Sequence, residues 1–94
     1  MNFAQVMAQA ESENRTDLVE NLRNFVTAEL GLKNASSTHE REVFLRQARQ
    51  IAGVLKAPPL NLSIELLSDI CDNLTSWHEQ IASWDSKKIG RAHV

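Results

Sequence analysis

Residues 63–84 read SIELLSDICDNLTSWHEQIASW, and this stretch decides the fold. Projected at about 100° per residue, Ile64, Leu67, Ile70, Cys71, Leu74, Trp77, His78, Ile81 and Trp84 fall on one side. Glu65, Ser68, Asp69, Asp72, Asn73, Ser76, Glu79, Gln80 and Ser83 fall on the other. The apolar arc is wider than 100°, enough to touch two neighbouring helices. Leu67, Leu74 and Ile81 recur every seven residues, as do Ile70, Trp77 and Trp84. That period belongs to nearly parallel helix packing. Ser63 or Asn61 can cap the start, and Glu65 suits the positive end of the helix dipole.

Working upstream, the pattern predicts a second long helix over Thr38–Lys56. Ser37-Thr38-His39-Glu40 has the form of a capping box, in which the hydroxyl accepts an orphan amide and the Glu reaches back. Val43, Phe44, Ala48, Ile51, Val54 and Leu55 make its expected buried stripe. Pro58-Pro59 stop the helix and extend the link that follows. The two helices would be roughly 28 and 33 Å long. Similar lengths and a short link predict that they form an antiparallel hairpin.

The first third of the chain is less regular. Leu18, Leu22, Phe25, Val26, Glu29 and Leu30 share a face, and Gly31 is expected to end that helix with Leu32 as its hydrophobic contact. Phe3, Val6, Met7 and Ala10 form another stripe, rotated by roughly 100° if the helix were continuous. A short helix at 2–12, a break near 12–16 and a helix at 17–30 accommodate both stripes, with Asn14 or Thr16 as the cap. A single bent helix is the alternative. The reading is thus all-α: a small antiparallel three-helix bundle with an extra short N-terminal helix.

Composition agrees with one small domain. Ninety-four residues with 43% hydrophobic and 23% charged content are ordinary for a globular chain. A compact chain of this size has a radius of gyration of roughly 12 Å. Ten Lys and Arg stand against 12 Asp and Glu, and a formal charge of -2 gives no general attraction to nucleic acid or anionic lipid. The single cysteine, Cys71, excludes an internal disulfide. The start, MNFAQ, lacks the features of a signal peptide, and no apolar run approaches the ~20 residues of a membrane span. The expected location is therefore cytoplasmic. The last six residues, IGRAHV, resemble one translated reading frame of a common sequencing adapter. Residues 1–88 are accordingly read as one helical domain, the N-terminal part of a longer protein, and 89–94 as a non-native tail.

No catalytic constellation emerges. Cys71 and His78 share a face but lie seven residues apart, roughly 10.5 Å along a helix, too far for one metal ion or a nucleophile–base pair. The expected roles are a buried inert Cys and a His partly in the core. Asp69, Asp72 and Glu79 lie opposite the apolar arc, where carboxylates keep ordinary acidity. No phosphate loop or metalloprotease motif occurs. No cofactor, metal or small-molecule substrate is inferred, and the chain is read as a non-enzyme.

What remains is a non-catalytic interaction module, self-associating or docking to a protein partner. Trp77, Ile81 and Trp84 are its candidate surface, because Trp is favoured where a large apolar face anchors a partner. The competing arrangement folds Phe3, Val6 and Met7 over this end. A rival function uses Arg46, Arg49 and Lys56 on the 38–56 helix to meet nucleic acid, against the negative net charge. A third takes the piece as the helical start of a larger enzyme.

Overall fold

The computed structural model describes residues 2–92, with side chains described for residues 2–86. The described chain is helical and contains no strand: α1 is Phe3–Ser12, α2 Thr16–Lys33, α3 Thr38–Lys56, α4 Ile64–Asp72 and α5 Leu74–Ala92. Five helices thus replace the expected three plus one. Of the expected tail, 89–92 continues the α5 backbone, while His93 and Val94 lie outside the described residues.

Local chemistry sets most of the ends. Asn2 Oδ1 accepts the Gln5 amide and Gln5 Oε1 accepts the Asn2 amide, a capping box that starts α1. The break before α2 falls at Glu13–Arg15, with Asn14 at a φ of 54°, a left-handed conformation that Asn tolerates better than most residues. Neither Asn14 nor Thr16 caps α2. Arg15 occupies the cap position without a side-chain bond to the helix amides, its guanidinium donating instead to the Asp17 carboxylate. Ser37 Oγ caps α3 by accepting the Glu40 amide, while the Glu40 carboxylate reaches one residue further back, to Ser36. Ser63 caps α4.

Gly31 does not end its helix. The backbone stays helical through Lys33, and a Cβ on Gly31 would stand 2.5 Å from Cε1 of Phe44. The missing side chain therefore serves the approach of α3, not a helix stop. The predicted 63–84 helix is likewise two helices, interrupted at Asn73. The Asn73 amide bonds back to Asp69 O and Ile70 O, and its Nδ2 donates to the Asp69 carbonyl and carboxylate. Asp69 also accepts the Trp77 indole N–H at 3.2 Å, so one carboxylate ties both sides of the break.

At the centre stands α2, which packs against each of the other four helices. The core gathers Val6, Leu22, Phe25, Val26, Leu55, Ile70, Leu74 and Trp77, with Leu67 and Ile81 among their neighbours. Phe3 meets Trp77 edge-to-face at 5.5 Å. Polar links also fasten α5 to α2 and α1. Arg23 on α2 donates to both carboxylate oxygens of Asp85, and the Trp84 indole donates to Glu11 of α1.

The position of α3 departs from expectation. It packs along α2, with few contacts elsewhere, so the hairpin is α2–α3 and not α3 with the helices after it. Four residues between α2 and α3 make that pairing the local one. Only Ala48 and Leu55 of the expected α3 stripe are buried. Phe44 and Ile51 are partly covered, while Val43 and Val54 are 37% and 49% exposed. One neighbour buries one narrow face, and the two valines lie outside it. The radius of gyration is 13.8 Å and the extents are 45 × 29 × 19 Å, longer than a compact sphere. No helix among the described residues is long and apolar enough to cross a membrane.

Candidate functional site

Trp77 and Ile81 are 3% and 5% exposed, inside the core. Trp84 is partly buried at its rim, against the same cluster. Here α1 supplies the cover: Phe3 packs on Trp77, and Glu11 accepts a hydrogen bond from the Trp84 indole N–H. The Phe3–Val6–Met7 stripe thus finds its home over this end. Apolar surface remains open on another side of the molecule.

That side is the channel between α3 and α4, with α2 beneath. Phe25 and Glu29 of α2 form its floor. Leu45, Ala52, Arg49 and Lys56 of α3 form one wall, and Ile64, Leu67, Ser68 and Cys71 of α4 the other. The cavity volume is about 330 Å³. Its origin lies in helix phase. Phe44, Ala48, Ile51 and Leu55 recur along the α3 face that meets α2. Leu45 and Ala52 follow Phe44 and Ile51 by one residue, so they sit roughly 100° round the helix, on the edge facing α4. On α4, Leu66 and Ile70 turn inward, which leaves Ile64 72% exposed.

The electrostatics of the channel are mixed. Burial raises the Glu29 carboxyl above its usual range. Partial desolvation also raises the Cys71 thiol, with the negative charges of Glu29 and Asp72 adding to it. A thiol held in its neutral form is a poor nucleophile. Cys71 and His78 are both exposed, correcting the expectation of a buried Cys and a half-buried His. The apolar arc read from the sequence included Ile64 and Cys71 and left out Leu66, whereas Leu66 is buried and the other two are exposed. No group of His, Cys, Asp and Glu among the described residues is arranged to hold a metal ion.

Arg46, Arg49 and Lys56 are all exposed on α3. Arg49 and Lys56 line the channel, whereas Arg46 lies further round the helix. None of the three forms an ion pair among the described residues. No family model, curated protein or solved structure matches the chain.

Proposed function

We propose that this chain is a non-catalytic interaction module whose α3–α4 channel seats an amphipathic helix of a protein partner. The observation that carries the reading is Ile64, 72% exposed beside Leu67, Leu45 and Ala52 above Phe25. A large aliphatic side chain left in water forgoes roughly 2 kcal/mol of burial. A concave apolar strip with charges along its edges matches helix-in-groove recognition, in which side chains at i, i+3, i+4 and i+7 anchor the guest. From Leu45 to Lys56 the α3 wall is roughly 16 Å long, about three turns of helix.

The reading is tested with a displayed library of amphipathic peptides about 16 residues long, selected on the intact chain. Selected peptides are then measured against Ile64→Arg and Ser68→Arg, both at exposed positions. Peptides that lose at least tenfold affinity for either variant, and that shield Cys71 from maleimide, support it. Selected peptides that ignore both substitutions overturn it.

A further inference from the structure

Resting on that reading of the channel, we infer that its occupant is a second copy of this chain, with α4 of each copy set against α3 of the other about a twofold axis. The argument begins with charge spacing. Arg49 and Lys56 stand seven residues apart on the α3 wall. Glu65 and Asp72 stand seven residues apart on α4, within roughly 100° of Ile64 and Cys71, which line the opposite wall. Seven residues are two turns, roughly 10.5 Å, so the two charge pairs have the same pitch. All four side chains are exposed, and none makes an ion pair or side-chain hydrogen bond among the described residues.

The channel itself keeps these charges apart within one copy. The link Ala57–Ser63 returns the chain from Lys56 to the start of α4, with the Leu62 amide bonded to Leu55 O. That bond puts the start of α4 beside the end of α3, and Cys71 further along α4 lies near Glu29 on the channel floor, so Glu65 stands toward the Lys56 end of the channel and Asp72 toward the Arg49 end. A rotation of 180° about an axis along the channel lays the α3 wall of one copy over the α4 wall of the other. Lys56 then faces Glu65 of the second copy, and Arg49 faces Asp72. The symmetry repeats both pairs. A twofold axis across the channel would instead set α3 against α3, bringing Arg49 and Lys56 onto like charges. Charge thus selects one of the two face-to-face arrangements, and it selects self-association over a partner of a single sign. Ile64, 72% exposed, and Leu45 supply the apolar filling between the walls.

The experiment is sedimentation equilibrium of the whole chain from micromolar to millimolar concentration, at low and high salt. The expected result is a dimer that weakens with salt and is lost, by at least tenfold in Kd, on Ile64→Arg. Two charge variants sharpen the test: Arg49→Glu with Lys56→Glu, and Glu65→Lys with Asp72→Lys. Each alone should be monomeric, because its facing walls carry like charge. Mixed one to one, they should form a heterodimer, since both interfaces then pair opposite charges. Circular dichroism confirms that each variant is folded, and Ile64→Arg stands in for either that is not. A chain that stays monomeric at millimolar concentration overturns the second-copy inference, while the peptide selection above still decides the groove reading. A dimer indifferent to Ile64→Arg, or charge variants that fail to rescue each other, overturns it as well.

Discussion

The indole N–H of Trp84 donates to the carboxylate of Glu11 at 2.8 Å, joining side chains 73 residues apart in the chain. The bond fastens α5 to α1 at the rim of the core, next to the Arg23–Asp85 pair that fastens α5 to α2. Trp84→Phe keeps most of the apolar cover and removes the donor. We expect a loss of roughly 1 kcal/mol in urea unfolding. The remaining tryptophan, Trp77, should then emit at short wavelength and resist quenching by acrylamide. A red-shifted, quenchable signal from that variant would show that the core over Trp77 is open.

The core predicts a graded mutational response. Ile70→Ala and Leu22→Ala remove fully buried side chains and should each cost about 2–5 kcal/mol. Val54→Ala, at a half-exposed position, should stay within about 0.5 kcal/mol. Equal losses at Val54 and Ile70 would contradict the placement of α3.

Gly31→Ala sets two effects against each other. Alanine within a helix gains up to about 1 kcal/mol over glycine. The new methyl would, however, stand 2.5 Å from the Phe44 ring, and such overpacking costs roughly 1–3 kcal/mol. We expect net destabilisation in wild type and stabilisation in a Phe44→Ala background, where the ring is gone. A double-mutant cycle measures that coupling. Additive effects would mean that the two helices do not meet there.

Burial raises the Glu29 carboxyl in the folded chain, so the folded state binds the proton more tightly than the unfolded one. Stability should therefore fall as pH rises from the ordinary carboxylate value through the raised one. Arg49 and Lys56 from α3 and Cys71 from α4 share this channel, and Glu29 has no ion pair with either cation. Glu29→Gln should raise the melting temperature of the dilute chain at neutral pH, and the gain should vanish in acid below the usual carboxylate range. A variant less stable at neutral pH would show that the charge is favourable where it stands.

Nucleic acid binding through α3 makes a distinct prediction. Phosphate contacts by Arg46, Arg49 and Lys56 would release counterions and give affinity that drops steeply with salt. We expect no salt-sensitive binding to mixed duplex or single strands at physiological ionic strength, as measured by fluorescence anisotropy. Binding abolished by reversing these three charges would displace the interaction reading.

The sequence reached furthest where burial repeats regularly. Leu67, Ile70, Leu74, Trp77 and Ile81 were legible as one apolar face, and all five are buried. The interruption at Asn73 was not legible, because a break of one residue leaves the spacing of that face intact. It depends on Asp69 accepting both Asn73 Nδ2 and the Trp77 indole, a local contact invisible to periodicity. Gly31 misled for a related reason. Glycine serves both helix ends and close helix approaches, and only the position of Phe44 tells them apart. The channel was hidden because its residues carry ordinary core chemistry. Ile64 and Leu45 differ from buried aliphatics only in that no third helix among the described residues buries them, which depends on how α3 and α4 sit on α2.

That α3 rests mainly on α2 gives the molecule an uneven kinetic texture. Most of the burial that holds α3 down sits along one helix-to-helix seam, so α3 can peel away at less cost than unfolding the whole chain. Amides at 38–56 should exchange with deuterated water sooner than those at 18–30. The channel loses its wall in the same event. Its width is then a fluctuating quantity, with guest capture and partial unfolding drawing on one opening equilibrium, and anything seated there acts as a clasp that slows exchange throughout α3.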